Sequence, residues 1–197
     1  MRVHLFKDHP IEEAFRKNEK VAVMDAYIPG LTMRTTASFF YLKDGSLLQF
    51  QIETYAQVIE DIKPLLERHW QEIAVYDDIA LSPDFEFYAN ADKLGMMAVY
   101  TARLNGKLIG YAIYFIRKGH HHYQEAGWAV SDIILVLPEH RNTGVATGLF
   151  DLIESDLEAR GISVMHTTAK TAHPQLSAFL EARGHAMIEK GHSKRLR

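Results

Sequence analysis

Residues 128–161 read WAVSDIILVLPEHRNTGVATGLFDLIESDLEARG, and this stretch alone holds a strand, a polar loop and a helix in unbroken order. Ile133, Ile134, Leu135, Val136 and Leu137 form an apolar run rich in branched side chains, the pattern of a strand buried on both faces. Pro138 ends it, because proline has no N–H to give to a ladder. After Glu139-His140-Arg141-Asn142-Thr143-Gly144, the residues Val145, Leu149, Ile153 and Leu157 recur every fourth position, joined by Ala146, Phe150 and Leu152. That is one buried stripe of a helix. Gly161 suits the left-handed position that closes such a helix.

A helix that opens after a glycine-containing loop, at the C-terminal end of a strand, presents unpaired N–H groups and a positive dipole end, so it is an anion site. Gly144 lets the chain approach a ligand closely, and Ala146 keeps the next inward position small. An ordinary strand-to-helix connection is the bland alternative. A Walker loop is excluded by the lack of a Gly-Lys-Ser/Thr triplet, and Gly144, Ala146 and Gly148 stand too far behind the strand for a dinucleotide fingerprint.

The segment resembles the acyl-CoA loop of the GNAT superfamily, the GCN5-related N-acetyltransferases. That family's pattern Q/R-x-x-G-x-G/A is met by Arg141-Asn142-Thr143-Gly144-Val145-Ala146, after a strand ending Val-Leu-Pro-Glu. The order of elements fits from about Leu48 onward, and the wording of the chain, including His69-Trp70-Gln71-Glu72-Ile73, is also similar to GNAT proteins carried by bacteriophages. The resemblance implies acetyl-CoA as co-substrate. It places the diphosphate on Arg141, Asn142, Thr143, Gly144, Val145, Ala146 and Thr147, and the pantetheine arm and acyl carbonyl on the backbone of Leu135, Val136 and Leu137. It also implies a mixed α/β sheet with splayed central strands and helices on both faces.

At 197 residues the chain is long enough for one sizeable core, and a single domain with an extension is the default. No run approaches a membrane span, residues 1–10 lack the apolar core of a signal peptide, and there is no cysteine. A cytoplasmic protein without disulfides, thiolate metal sites or a cysteine nucleophile is expected. The formal net charge of −3 gives no support to nucleic-acid binding. Residues 51–95 hold ten Asp/Glu against three Lys/Arg, whereas residues 183–197 hold five Lys/Arg against one Glu. Flanking a cleft, the acidic block would attract a cationic amine and the basic tail an anionic co-substrate.

Taken in order, residues 1–45 read as an extension: a helix over 10–20, a strand over 21–28, a turn at Pro29-Gly30, and the first arm of a hairpin around Lys43-Asp44-Gly45. Residues 46–197 read as the GNAT-like domain. Thr54 and Gln57 make a capping box ahead of a helix through Pro64 to Ile73, and Ser82-Pro83 is read as N-cap and first turn of a second helix. Strands over 96–104 and 107–118 are joined by Asn105-Gly106, the type I′ dipeptide. After the strand, loop and helix already described come a strand over 162–168, a helix over 174–183 and a strand over 185–190. That short last strand leaves room for one contributed by the extension or by a second chain, so a homodimer is one expectation.

Acetyl transfer to an amine needs a base for the attacking nitrogen, stabilisation of the thioester oxygen, and a proton for the leaving thiolate. Asp132 is a carboxylate at the head of an otherwise apolar strand, where it needs a partner or a function. In histone-type GNAT enzymes the base is a Glu in the matching place. A structural pairing of Asp132 stands open beside that role. Many members carry a Tyr as general acid at the head of Y-E-K-x-G-F; the matching residues are Leu180-Glu181-Ala182-Arg183-Gly184-His185, and Leu180 cannot donate a proton. Tyr123, His173 and Ser177 are the candidate substitutes, with solvent as the other source. His120-His121-His122 reads as a solvated loop rather than a metal site. Two functions follow: an acetyl-CoA-dependent N-acetyltransferase acting on a primary amine of a small molecule or protein, or a CoA-binding regulatory protein with little turnover.

Overall fold

The computed structural model describes residues 2–4, 23–25, 37–42, 44–76 and 78–196. β1 (Arg2–His4) pairs antiparallel with β2 (Val23–Asp25), and β2 falls within the strand expected over 21–28. The helix expected over 10–20, the turn at Pro29-Gly30 and Lys43 of the hairpin lie outside the described residues.

The main sheet runs in the order β3 (Ala37–Tyr41), β4 (Leu47–Glu53), β5 (Met97–Leu104), β6 (Lys107–Arg117), β7 (Gly127–Val136) and β8 (Ile162–His166). Neighbours are antiparallel except β7 and β8, which are parallel. This is the mixed sheet expected, with β3 added at its edge, since the first arm of the hairpin pairs with β4 along its whole length. Asn105 and Gly106 join β5 to β6 with φ of 50° and 80°, the left-handed pair a type I′ turn requires.

Helix α1 (Tyr55–Ile73) starts at the capping box: the Thr54 side chain accepts from the Gln57 N–H, and the Gln57 side chain accepts from the Thr54 N–H. It runs through Pro64. Helix α2 (Phe85–Lys93) begins two residues later than Ser82-Pro83 suggested. Asp84 is its cap, with Oδ1 accepting from the Phe87 N–H at 2.9 Å; a carboxylate within reach of the third helical N–H takes the role from the serine. Helix α3 (Val145–Ala159) follows the loop, and Gly161 past its end has a φ of 75°.

Strand alternation sends successive side chains to opposite faces. Val99, Tyr111, Ile113, Leu135 and Leu137 pack under Val58 and Ile62 of α1 and Ala91 of α2. From the other face the hydroxyl of Tyr100 donates to Asp156 of α3 at 2.7 Å, and Phe50 lies against Gly148 of α3. Helices therefore cover both faces. A half-buried ion cluster, in which Arg103 meets Glu53 at 2.9 Å and Asp61 at 2.7 Å, ties α1 to β4 and β5.

β7 pairs with β6 as far as Val136 but with β8 only from Gly127 to Val130. From Ser131 onward one side of β7 has no strand beside it among the described residues. This is the splay.

Thr168–Arg197 cluster as a second compact unit, whose regular element is α4 (Pro174–Ala182). The strand expected over 185–190 is absent: those residues take no regular structure, and Met187 and Ile188 are 63% and 64% exposed. A short apolar run becomes a strand only when a neighbour accepts its backbone groups. Among the described residues no helix is long and apolar enough to cross a membrane.

A Cβ added at Gly148 would lie 2.4 Å from the ring tip of Phe50, itself 1% exposed and edge-to-face with Phe40. At an exposed helical position Gly→Ala stabilises by about 1 kcal/mol. Here overpacking of about 1–3 kcal/mol opposes it. Gly148→Ala is expected to lower the denaturation midpoint, and Phe50→Leu is expected to reverse the sign of the Gly148→Ala effect when the two are combined.

Candidate functional site

Beyond Val136 the chain leaves the sheet through a single 3₁₀ turn, Pro138–His140, with the Arg141 N–H donating to the Pro138 carbonyl at 3.2 Å. Asn142 and Gly144 are both left-handed, with φ of 60° and 85°. Backbone alternating between right- and left-handed residues turns successive N–H groups into one concavity. The Thr143 hydroxyl fixes this turn by donating to the His140 carbonyl at 2.7 Å. The first intrahelical bond of α3 is made by the Gly148 N–H to the Gly144 carbonyl at 3.0 Å. The N–H groups of Asn142, Thr143, Gly144, Val145, Ala146 and Thr147 make no close, well-aligned backbone hydrogen bond among the described residues.

The side chain of Arg141 turns away from this concavity. Its Nε donates to the Val136 carbonyl at 2.9 Å, and its two terminal nitrogens meet Glu72 of α1 at 2.6 and 2.8 Å. Arg68 of α1 holds Glu139 at 2.9 Å. Both arginines near the loop are thus matched by carboxylates, and what remains for an anion is peptide dipole.

The Leu137 N–H donates to Ile109 of β6 at 2.9 Å. Backbone groups alternate sides along a strand, so Leu135 and Leu137 both face β6, and Ile134 and Val136 face the open side. The acceptance of the Arg141 Nε by the Val136 carbonyl agrees with this. Of the three strand residues that the resemblance assigned, Leu135 and Leu137 have their N–H groups turned to β6. Ile134 has its N–H on the open side, a difference invisible in an unbroken apolar run.

Asp132 is the residue that the β6–β7 register skips: Ile113 pairs with Ile133 and Tyr114 with Ser131. It occupies a β-bulge, a device that re-aims a side chain, and it is exposed despite lying mid-strand. Its Oδ2 accepts from the Tyr88 hydroxyl at 2.7 Å. The Tyr88 ring lies between Tyr55, stacked at 5.6 Å, and Phe115, stacked at 6.0 Å. Burial pushes the Tyr55 phenol up to about 12. Burial and then the Asp132 hydrogen bond and charge hold Tyr88 above the usual phenol range, and burial with the Asp132 charge does the same for Tyr111. All three phenols stay protonated at neutral pH. The Tyr111 hydroxyl is fully buried and has no partner among the described residues. Tyr55 and Tyr88 read as packing residues in the sequence; nothing there signals a hydrogen bond across 44 positions.

Tyr123 is 61% exposed and its ring contacts are with His120 and His122. His120 in turn tilts onto Trp128 at 4.7 Å. His173 and Ser177 are half-buried at the start and first turn of α4, and Leu180 on the same helix is buried. The acidic block is largely committed within the fold. Glu60 pairs with Lys63, Asp61 with Arg103, Glu72 with Arg141, Asp84 caps α2, and Asp92 accepts from the Tyr55 N–H.

The description "Acetyltransferase (GNAT) family" matches residues 56–185. The chain belongs to the GNAT acetyltransferase family. A search of curated proteins finds no sequence relative. Solved structures of similar fold include a ribosomal-protein-alanine N-acetyltransferase from Brucella melitensis biovar Abortus 2308, 19% identical, covering 76% of this chain and 99% of that one, with a TM-score of 0.59. The aminoglycoside N-acetyltransferase AAC(6')-Iy in complex with CoA is 19% identical over 78% and 97% of the two chains, with a TM-score of 0.58. The aminoglycoside acetyltransferase meta-AAC0020 from an uncultured soil metagenomic sample, in complex with sisomicin, is 14% identical over 76% and 96%, with a TM-score of 0.62.

Gly144 and Asn142 set the concavity through their positive φ. A side chain forced into that region costs about 1–2 kcal/mol. Gly144→Ala is expected to lose about that much stability in denaturant titrations, whereas Asn142→Gly is expected to stay within about 0.5 kcal/mol of the parent.

Proposed function

We propose that this GNAT protein transfers an acetyl group from acetyl-CoA to a primary amine, by direct attack of the amine on the thioester. The observation that carries the proposal is the run of six unpaired N–H groups, Asn142 to Thr147, at the end of a strand whose last residues have one open side. Such a set suits a diphosphate, and its lack of close backbone partners is the test of fit.

Each residue then has a role. The N–H groups of Asn142 to Thr147 bind the diphosphate. The open-side peptide groups of Ile134 and the Val136 N–H bond the pantetheine arm, and one strand N–H stabilises charge building on the thioester oxygen. Asp132 takes the proton from the acceptor ammonium, so that a neutral nitrogen forms the new N–C bond as the C–S bond breaks, and the acylated nitrogen then sheds its second proton to water. The Tyr88 hydroxyl orients that carboxylate. The thiolate takes its proton from water or from Tyr123, since the residue matching the family tyrosine is Leu180, which has none to give. A thiolate is a good leaving group that solvent can protonate, so a leucine in place of the family tyrosine is compatible with turnover. The same features would serve a CoA-binding regulator; the exposure of Asp132 on a bulge favours the enzyme.

Calorimetry with CoA and thiol release from acetyl-CoA across an amine panel test the reading. Asp132→Asn is expected to lower kcat by about 10²–10⁴-fold, the usual worth of a general base, with CoA affinity within about threefold of the parent. Tight CoA binding with no thiol release from any amine would favour the regulator, and absence of CoA binding would overturn both.

A further inference from the structure

We infer that the acceptor is a monoamine with a flat apolar body, and not a polycation of the aminoglycoside kind. The inference rests on Asp132 receiving the amine as proposed above. Around that carboxylate the surface is aromatic. Tyr88, bonded to Asp132, contacts Phe87 at 5.6 Å and Phe115 at 6.0 Å, and Phe87 contacts Phe115 at 5.5 Å. The rings form one continuous patch ending at the carboxylate. Phe87 is 53% exposed and Phe85, on the same helix, 38% exposed. Large exposed rings joined to a single acid suit a ligand that pairs one ammonium with apolar area.

The charged groups on the surrounding elements are partly matched within the fold. The Lys63 ammonium of α1, paired with Glu60 at 2.6 Å, lies 5.5 Å from the Phe85 ring. Glu60 is held by Lys63, Asp84 by the Phe87 N–H and Asp92 by the Tyr55 N–H. Glu86 is the acid that remains on α2, and it sits in the first turn, where the helix dipole already holds its charge. A polycation would find a patch of rings beside Asp132 in place of a row of carboxylates. A monoamine meets the carboxylate and the rings.

The test compares three probe amines in acetyl-CoA-dependent thiol release by the full chain: 2-phenylethylamine, n-propylamine and neamine. The expected result is a kcat/KM for 2-phenylethylamine at least about tenfold above the other two, tenfold being the scale of one buried aromatic contact. Phe87→Ala, at an exposed position, is expected to remove that advantage and to leave n-propylamine within about twofold, a split that general loss of structure would not give. A preference for neamine, equal rates for all three, or silence with 2-phenylethylamine overturns the inference. A parallel CoA titration separates this from failure of the enzyme reading: CoA bound and neamine acetylated removes the acceptor class alone, whereas no CoA bound removes the function beneath it.

Discussion

Backbone N–H groups must be satisfied, and the arrangement of this protein follows from six consecutive ones, Asn142 to Thr147, that make no close, well-aligned backbone hydrogen bond among the described residues. Two left-handed residues, Asn142 and Gly144, aim them inward. Pro138 takes the chain out of the sheet just before them, and α3, anchored by Leu149, Ile153 and Leu157 in the core, fixes their direction. Arg141 supplies no charge to the concavity. Its guanidinium bonds the Val136 carbonyl and Glu72, joining the loop to the last turn of α1. An anion seated there is held by peptide dipoles, with the nearby arginines already neutralised.

A second constraint acts on β7. Its early pairing with β8 stops at Val130, and its register with β6 slips at Asp132. The first change opens the strand edge for Ile134 and Val136. The second swings a carboxylate out of an apolar strand toward Tyr88. One strand therefore carries an open backbone edge and an outward carboxylate, a few residues apart. The Tyr55, Tyr88 and Phe115 stack, drawn from α1, α2 and β6, reaches the same carboxylate through the Tyr88 hydroxyl.

Much of this could be read from residue order, because the deciding signals are local. The alternation from an apolar run to a four-residue stripe gave β7 and α3. Thr54 and Gln57 gave the start of α1, and Asn105-Gly106 the β5–β6 turn. Asp132 stood out by its charge alone. What escaped depends on partners distant in the chain. A bulge is a difference between two strands, so no single strand reveals it. The Tyr88 hydrogen bond spans two elements, and the acidic block looked like an acceptor lure until its members were found bonded to Lys63, Arg103, Arg141 and helix N–H groups. The run at 185–190 had the right composition for a strand and pairs with no strand among the described residues.

The account stands or falls on where an anionic thioester carrier touches the chain. Amide proton–nitrogen correlation spectra recorded during a CoA titration report this residue by residue. The predicted result is that the largest shifts fall on the amides of Asn142 to Thr147 and on Ile134 and Val136, with Leu135 and Leu137 moving less because their N–H groups are turned to β6. Shifts concentrated elsewhere, with the amides of Asn142 to Thr147 unmoved at saturating CoA, would contradict it.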